Sequence, residues 1–101
     1  MTQKKAHDLI DETIHQRTRL AIMASLAGVE GLEFNDLKMQ LSLTDGNLST
    51  HAAALERAGY VEILKAFKGK KPSTTIRMTA KGRAALERYV NLLQSILNKT
   101  K

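Results

Sequence analysis

Apolar residues recur along this chain with two different periods, and the change of period marks out its elements. Over residues 3–28 the spacing is helical. Leu9, Ile10 and Ile14 form one stripe, and Leu20, Ile22, Met23, Leu26 and Ala27 form another. His15-Gln16-Arg17-Thr18 lies between the stripes as a break, and Gly28 ends the second by accepting left-handed C-cap geometry. Leu32-Glu33-Phe34 suffices only for a stub of strand. Asn35 then caps a short helix over Asp36–Leu41, with Leu37 and Leu41 on one face.

After the connection Leu41-Ser42-Leu43, Thr44 opens a further helix, and Asp45 places negative charge at its positive end. Leu48, Ala52, Leu55 and Ala58 recur at spacings of four, three and three, a single buried stripe that Gly59 terminates. The period then drops to two. Tyr60–Phe67 and Ser73–Met78 read as strands, with Val61 and Ile63 on one face of the first and Ile76 and Met78 on one face of the second. Lys68-Gly69-Lys70-Lys71-Pro72 supplies the turn between them. Thr79 caps a last helix over 80–98, whose apolar surface includes Ala85, Leu86, Tyr89, Val90, Leu92, Leu93, Ile96 and Leu97.

The expected fold class is therefore mainly α with a small β-hairpin (α+β). Two helices joined by a tight turn and followed by a hairpin are the parts of a winged helix-turn-helix. At 101 residues one domain spanning 1–101 is expected, its core at 14–79. The terminal helices 3–14 and 80–98 are expected to pack together.

Composition narrows the function. The absence of cysteine excludes disulfides, thiolate zinc sites and a Cys nucleophile. No apolar run approaches the roughly 20 residues that cross a bilayer, and Met1–Ala6 does not read as a signal peptide, so a cytoplasmic protein with no membrane partner is expected. Net charge is +6, but it is unevenly placed. Residues 1–50 carry five Lys/Arg against seven acids, a net of −2, whereas residues 51–101 carry eleven against three, a net of +8. That asymmetry points to a polyanion as partner of the second half.

Duplex DNA fits the arrangement. A helix enters the major groove, where base edges are distinguishable, and a hairpin beside it neutralises phosphates. In the helix over 45–58, Asn47 has the geometry to pair with adenine, Ser49 and Thr50 reach bases or phosphates, and Thr44, Asp45 and Gly46 lie at the free N–H groups of the first turn. In the hairpin over 65–77, Lys65, Lys68, Lys70, Lys71 and Arg77 stand with no acid among them.

Chemistry is conspicuously missing. His7, Asp11 and His15 share helical spacing, but scattered polar residues on a surface helix rarely hold a metal, so none is expected. Gly69-Lys70-Lys71-Pro72-Ser73 lacks the earlier glycine and the strand-to-helix setting of a phosphate loop. Neither an acidic pair nor a serine with an evident base suggests hydrolysis, so the chain is not expected to be an enzyme or to need a cofactor.

Arg19-Leu20-Ala21-Ile22-Met23, Phe34-Asn35-Asp36-Leu37 and Leu43–His51 together resemble small MarR/ArsR-like winged-helix regulators. So do Leu55-Glu56-Arg57-Ala58-Gly59-Tyr60-Val61 and Thr75–Arg83, in unbroken order over residues 14–93. The resemblance implies a DNA-binding transcriptional regulator acting as a homodimer. Relatives often carry a large apolar residue followed by basic ones where this chain has Ala52-Ala53-Ala54, so its helix offers fewer phosphate or guanine contacts. Dimerisation compensates, with Ile10, Ile14, Tyr89, Leu92, Leu93, Ile96 and Leu97 as the expected two-fold interface. Two other functions compete: a winged helix contacting an acidic protein, and RNA binding, which the deep, narrow A-form groove disfavours. Nothing in the residues supports a small-molecule effector; one would have to bind at the dimer cleft.

Overall fold

A computed structural model describes residues 9–99. Its elements are α1 (Arg17–Leu26), β1 (Leu32–Glu33), α2 (Phe34–Gln40), α3 (Asp45–Arg57), β2 (Val61–Lys68), β3 (Lys71–Met78) and α4 (Ala80–Lys99). The strands form an antiparallel sheet in the order β1-β3-β2. Ile76 of β3 is paired with Leu32 on one side and Ile63 on the other, and its side chain is fully buried.

That row of apolar side chains is the floor of the core. Ile22, Met23 and Leu26 of α1, Leu37 of α2, and Leu48, Ala52 and Leu55 of α3 close over Val61 and Ile76. Burying each of the larger side chains contributes roughly 1.5–3 kcal/mol. The helix stops are local. Thr44 Oγ1 accepts the Asn47 N–H at 3.1 Å to start α3, and Gly59, at φ +82°, ends the turn after it. Thr79 Oγ1 accepts the Gly82 N–H at 3.0 Å at the head of α4 and donates to the Gly59 carbonyl at 2.6 Å. One hydroxyl therefore joins the end of α3 to the start of α4.

The N-terminal stripe is not α-helical over residues 9–16, contrary to expectation; residues 3–8 of that expected helix, with His7, lie outside the described residues. The cause is Asp11, whose carboxylate accepts the N–H groups of Thr13 at 2.9 Å and Ile14 at 3.2 Å. Those donors are thereby given a local alternative to the helical ladder. The helix begins only at Arg17, capped by the Gln16 side chain, which accepts the Arg19 N–H at 2.8 Å. The segment still packs on α4: Ile14 joins Ala85 and Tyr89 in a second buried cluster, flanked by Ile10, Leu20, Tyr60, Leu86 and Leu93.

Two boundaries also move. Asn35 is not the cap of α2 but lies in its first turn, because β1 pairs with β3 and delivers Glu33 to the helix already extended. The hairpin turn shrinks to Gly69 and Lys70, with Pro72 inside β3. Gly69 has φ +65° and Lys70 no positive φ, the pattern of a type II′ turn that matches the strand twist. Lys68 and Lys71 flank the turn as the first pair, so Phe67 and Pro72 form the next, non-hydrogen-bonded pair. There the missing proline N–H costs nothing toward β2, and β1 ends before reaching it.

Candidate nucleic-acid interface

Helix α3 turns Leu48, Ala52 and Leu55 into the core, which leaves Gly46, Thr50, Ala53 and Arg57 along the opposite line. Thr44, Asp45, Gly46, Asn47, Ser49 and Thr50 are all exposed. The structure thus brings the expected polar residues together on one uncovered surface at the start of α3. Asp45 differs from the rest. Its carboxylate accepts from Lys38 Nζ at 2.8 Å, tying the first turn of α3 to α2.

The two flanks of that surface are unlike. On one side the hairpin rises beside α3, and Ser49 and Ala52 line a groove with Ile63, Lys65, Thr74 and Phe34. On the other, Ala54, Arg57 and Ala58 line a shallow recess with Glu12, Thr13 and Arg19. Arg19 is held there by its Nε, which donates to the Thr13 carbonyl at 2.5 Å, and its Nη1 lies 3.5 Å from His51 Nδ1. Arg19 and Arg57 were not singled out by the sequence. Arg57 was legible as the residue seven beyond Thr50, hence on the same helix face; Arg19 reaches α3 only through tertiary packing.

The hairpin cations separate into two groups. Arg77 Nη2 donates to Glu62 at 2.6 Å across the strand pair, and Lys68 is ion-paired with Glu33 of β1. The proximity of the Glu33 carboxylate raises the Lys68 ammonium above its ordinary pKa. The stretch 65–77 has no acid of its own, but strand pairing sets Glu62, at the base of β2, opposite Arg77 and brings Glu33 of β1 to Lys68. Among the described residues, Lys65, Lys70 and Lys71 have no carboxylate partner.

Two of the expected interface residues are also reassigned. Ile14 is fully buried and Tyr89 only 5% exposed, because both fill the subunit's own second cluster. Tyr89 Oη lies 2.8 Å from His15 Nδ1, which ties the N-terminal segment to α4. Tyr60 Oη donates to Asp11. Burial and that carboxylate push the Tyr60 phenol up to about 12. Among the described residues no three of His, Cys, Asp or Glu converge on a common point, and no helix is long and apolar enough to cross a membrane.

The model of the winged helix DNA-binding domain matches residues 18–97, from the start of α1 to near the end of α4. The chain belongs to the winged helix DNA-binding domain family. An uncharacterised protein of Methanocaldococcus jannaschii is 46% identical over 72 residues, covering 71% of this chain and 78% of the relative. Among solved structures, a transcriptional regulator homologue from Pyrococcus horikoshii OT3 is similar with a TM-score of 0.84 at 27% identity, over 90% of each chain. HlyU from Vibrio cholerae is similar with a TM-score of 0.63 at 25% identity, over 80% of this chain and 84% of its own. The resemblance to winged-helix regulators read from the sequence thereby holds, and the fold is that of a DNA-binding regulator.

Proposed function

We propose that this winged helix regulator acts in the cytoplasm as a homodimer, each copy placing the start of α3 in a major groove and its hairpin on the adjacent phosphates. The observation that carries the reading is the exposed polar face of Asn47, Ser49 and Thr50 beside a hairpin whose Lys65 shares a groove with Ser49 and whose Lys65, Lys70 and Lys71 have no carboxylate partner. Thr44, Asp45 and Gly46 present the first turn of α3 to a phosphate, with Asp45 neutralised by Lys38. Lys68 and Arg77 keep a secondary role on the backbone, since exposed ion pairs such as theirs are worth only about 0–1 kcal/mol and open readily.

Support for the dimer comes from α4. Its buried positions, Gly82, Ala85 and Tyr89, all lie in its first half. Beyond Tyr89 the helix runs on with Val90 50% exposed and Leu92 and Ile96 only partly covered. The radius of gyration is 15.6 Å, against about 13 Å for a compact chain of this length. Leu92, Ile96 and Leu97, with Val90 and Leu9, form the interface in this reading, while Ile10 and Leu93 divide between it and the second cluster.

The test is fluorescence anisotropy of a labelled random-sequence duplex across a salt series. Affinity is expected to fall steeply with salt, and Lys70→Ala with Lys71→Ala to make the log–log slope shallower by about 1.8, near 0.9 for each phosphate released. Asn47→Ala is expected to spare random duplex while relaxing preference at a selected site by about 1–3 kcal/mol. An unchanged slope in the double lysine variant refutes the phosphate role of the hairpin.

A further inference from the structure

The reading helix is poor in positive charge. Helix α3 carries neither lysine nor arginine before Arg57, and its middle turn is Ala52-Ala53-Ala54. On the flank away from the hairpin, the small side chains of Ala54 and Ala58 leave a recess that two arginines border, Arg57 of α3 and Arg19 of α1. Arg57 follows Thr50 by two helical turns and is exposed on the same line of the helix. Arg19 arrives from another element. Its Nε donates to the Thr13 carbonyl at 2.5 Å, and its Nη1 lies 3.5 Å from His51 Nδ1. Its Nη2 contact, to the Glu12 carbonyl, is long at 3.5 Å, so the guanidinium is anchored on its Nε side and weakly engaged at its far end. Among the described residues neither arginine has a carboxylate partner; Glu12 also lines the recess, but its carboxylate pairs with neither.

From this we infer that Arg19 and Arg57 clamp a backbone phosphate of the DNA strand on the side of the major groove opposite the hairpin. The inference rests on the DNA-binding reading above. An α-helix with its side chains is about 10–12 Å across and the major groove about 12 Å wide, so a helix seated there meets a phosphate rail on each flank. The hairpin lies along the flank of Ser49. The flank of Asn47, His51, Ala54 and Ala58 has no lysine or arginine of its own, and α1 supplies Arg19 to it through space. Two like charges bordering one recess repel, and a phosphate between them replaces that repulsion with charge-assisted hydrogen bonds from both. Arg19 is already fixed by its bond to Thr13, so little side-chain freedom is lost when the phosphate arrives.

The experiment measures binding of a labelled random-sequence duplex across a salt series by fluorescence anisotropy. Arg57→Gln and Arg19→Gln are each expected to lose about tenfold in affinity at low salt and to make the log–log slope shallower by about 0.9, one phosphate's worth. Arg57→Gln is expected to melt with the wild type, since its side chain is exposed. Arg19→Lys, which keeps the charge, is expected to restore the slope, and Glu12→Gln to tighten binding about twofold by removing an acid beside the phosphate. An unchanged slope in Arg57→Gln overturns the clamp. So does an Arg19→Gln protein that melts lower and binds more weakly at an unchanged slope, because Arg19 is then a structural tie alone. Unchanged slopes together with calorimetric binding of inorganic phosphate that both substitutions abolish assign the recess to a free anion and equally overturn it. Failure of the wild type to bind the duplex at all overturns the DNA-binding reading itself, which the other outcomes leave standing.

Discussion

Gly82→Ala puts the junction of α3, the hairpin and α4 to the test with opposing signs. Helix propensity alone predicts a gain of at most about 1 kcal/mol, since a glycine in the first turn of α4 is replaced by the best helix former. The packing predicts the reverse. A Cβ on Gly82 would stand 2.1 Å from the Tyr60 carbonyl oxygen and 2.9 Å from the Tyr60 carbonyl carbon and Cα. These are backbone atoms with no rotamer to yield, so α4 must retreat by about 1 Å or more to reach an ordinary contact. Overpacking of this kind costs about 1–3 kcal/mol. Retreat also breaks the 3.0 Å bond from the Thr79 N–H to the Tyr60 carbonyl and loosens the Thr79 cap, each about 1 kcal/mol. After the propensity gain, a net loss of about 2–4 kcal/mol remains, and a fall in Tm of at least about 8 °C. Urea unfolding followed by circular dichroism reads it directly. Gly46→Ala is the control: nothing lies within 4 Å of a Cβ there, so that variant is expected to match or slightly exceed the wild type. A Gly82→Ala protein as stable as the wild type, or more so, would show that α4 does not seat on Tyr60 as described.

Two further outcomes follow from the same architecture. The Tyr60 phenol is raised to about 12 in the folded chain, chiefly by burial and then by its bond to Asp11. The unfolded chain therefore gives up this proton first, and the stability contributed by Tyr60 is present below pH 10 and lost between about pH 10 and 12. Tyr60→Phe is expected to flatten that part of the urea-midpoint profile; an identical alkaline slope in both proteins would show that the Tyr60 phenol is not raised by its burial and its bond to Asp11. Ile96→Glu, on the half of α4 with no buried position, is expected to reduce the solution mass from twice the 11.2 kDa chain to once, without unfolding the subunit. A wild type already monomeric at micromolar concentration in light scattering defeats the dimer.

The elements with local causes were legible in the residues. The buried stripe of Leu48, Ala52 and Leu55 follows from helical spacing, and the Thr44 and Thr79 caps follow from a hydroxyl facing free N–H groups three residues on. The shift to a period of two announced the hairpin, and the Asn47, Ser49 and Thr50 face followed once the buried side of α3 was known. What failed was decided by groups far apart in sequence or by competition the period ignores. Asp11 captured two N–H groups and kept residues 9–16 out of the helical ladder. Ile14 and Tyr89 met each other inside the subunit instead of facing outward. Strand pairing set Glu62 opposite Arg77 and brought Glu33 of β1 to Lys68, so which hairpin cations are neutralised could not be read from residues 65–77 alone.

Periodicity and capping act within a turn or two of chain, so from α1 onward the sequence alone determined the order of helices and strands, and hence a winged helix. The faces of the hairpin are another matter. Which cations stay unpaired, and which side of the strands turns toward α3, depend on contacts tens of residues apart. Those contacts exist only once the core has set the sheet against the helices, and they were left to the tertiary structure.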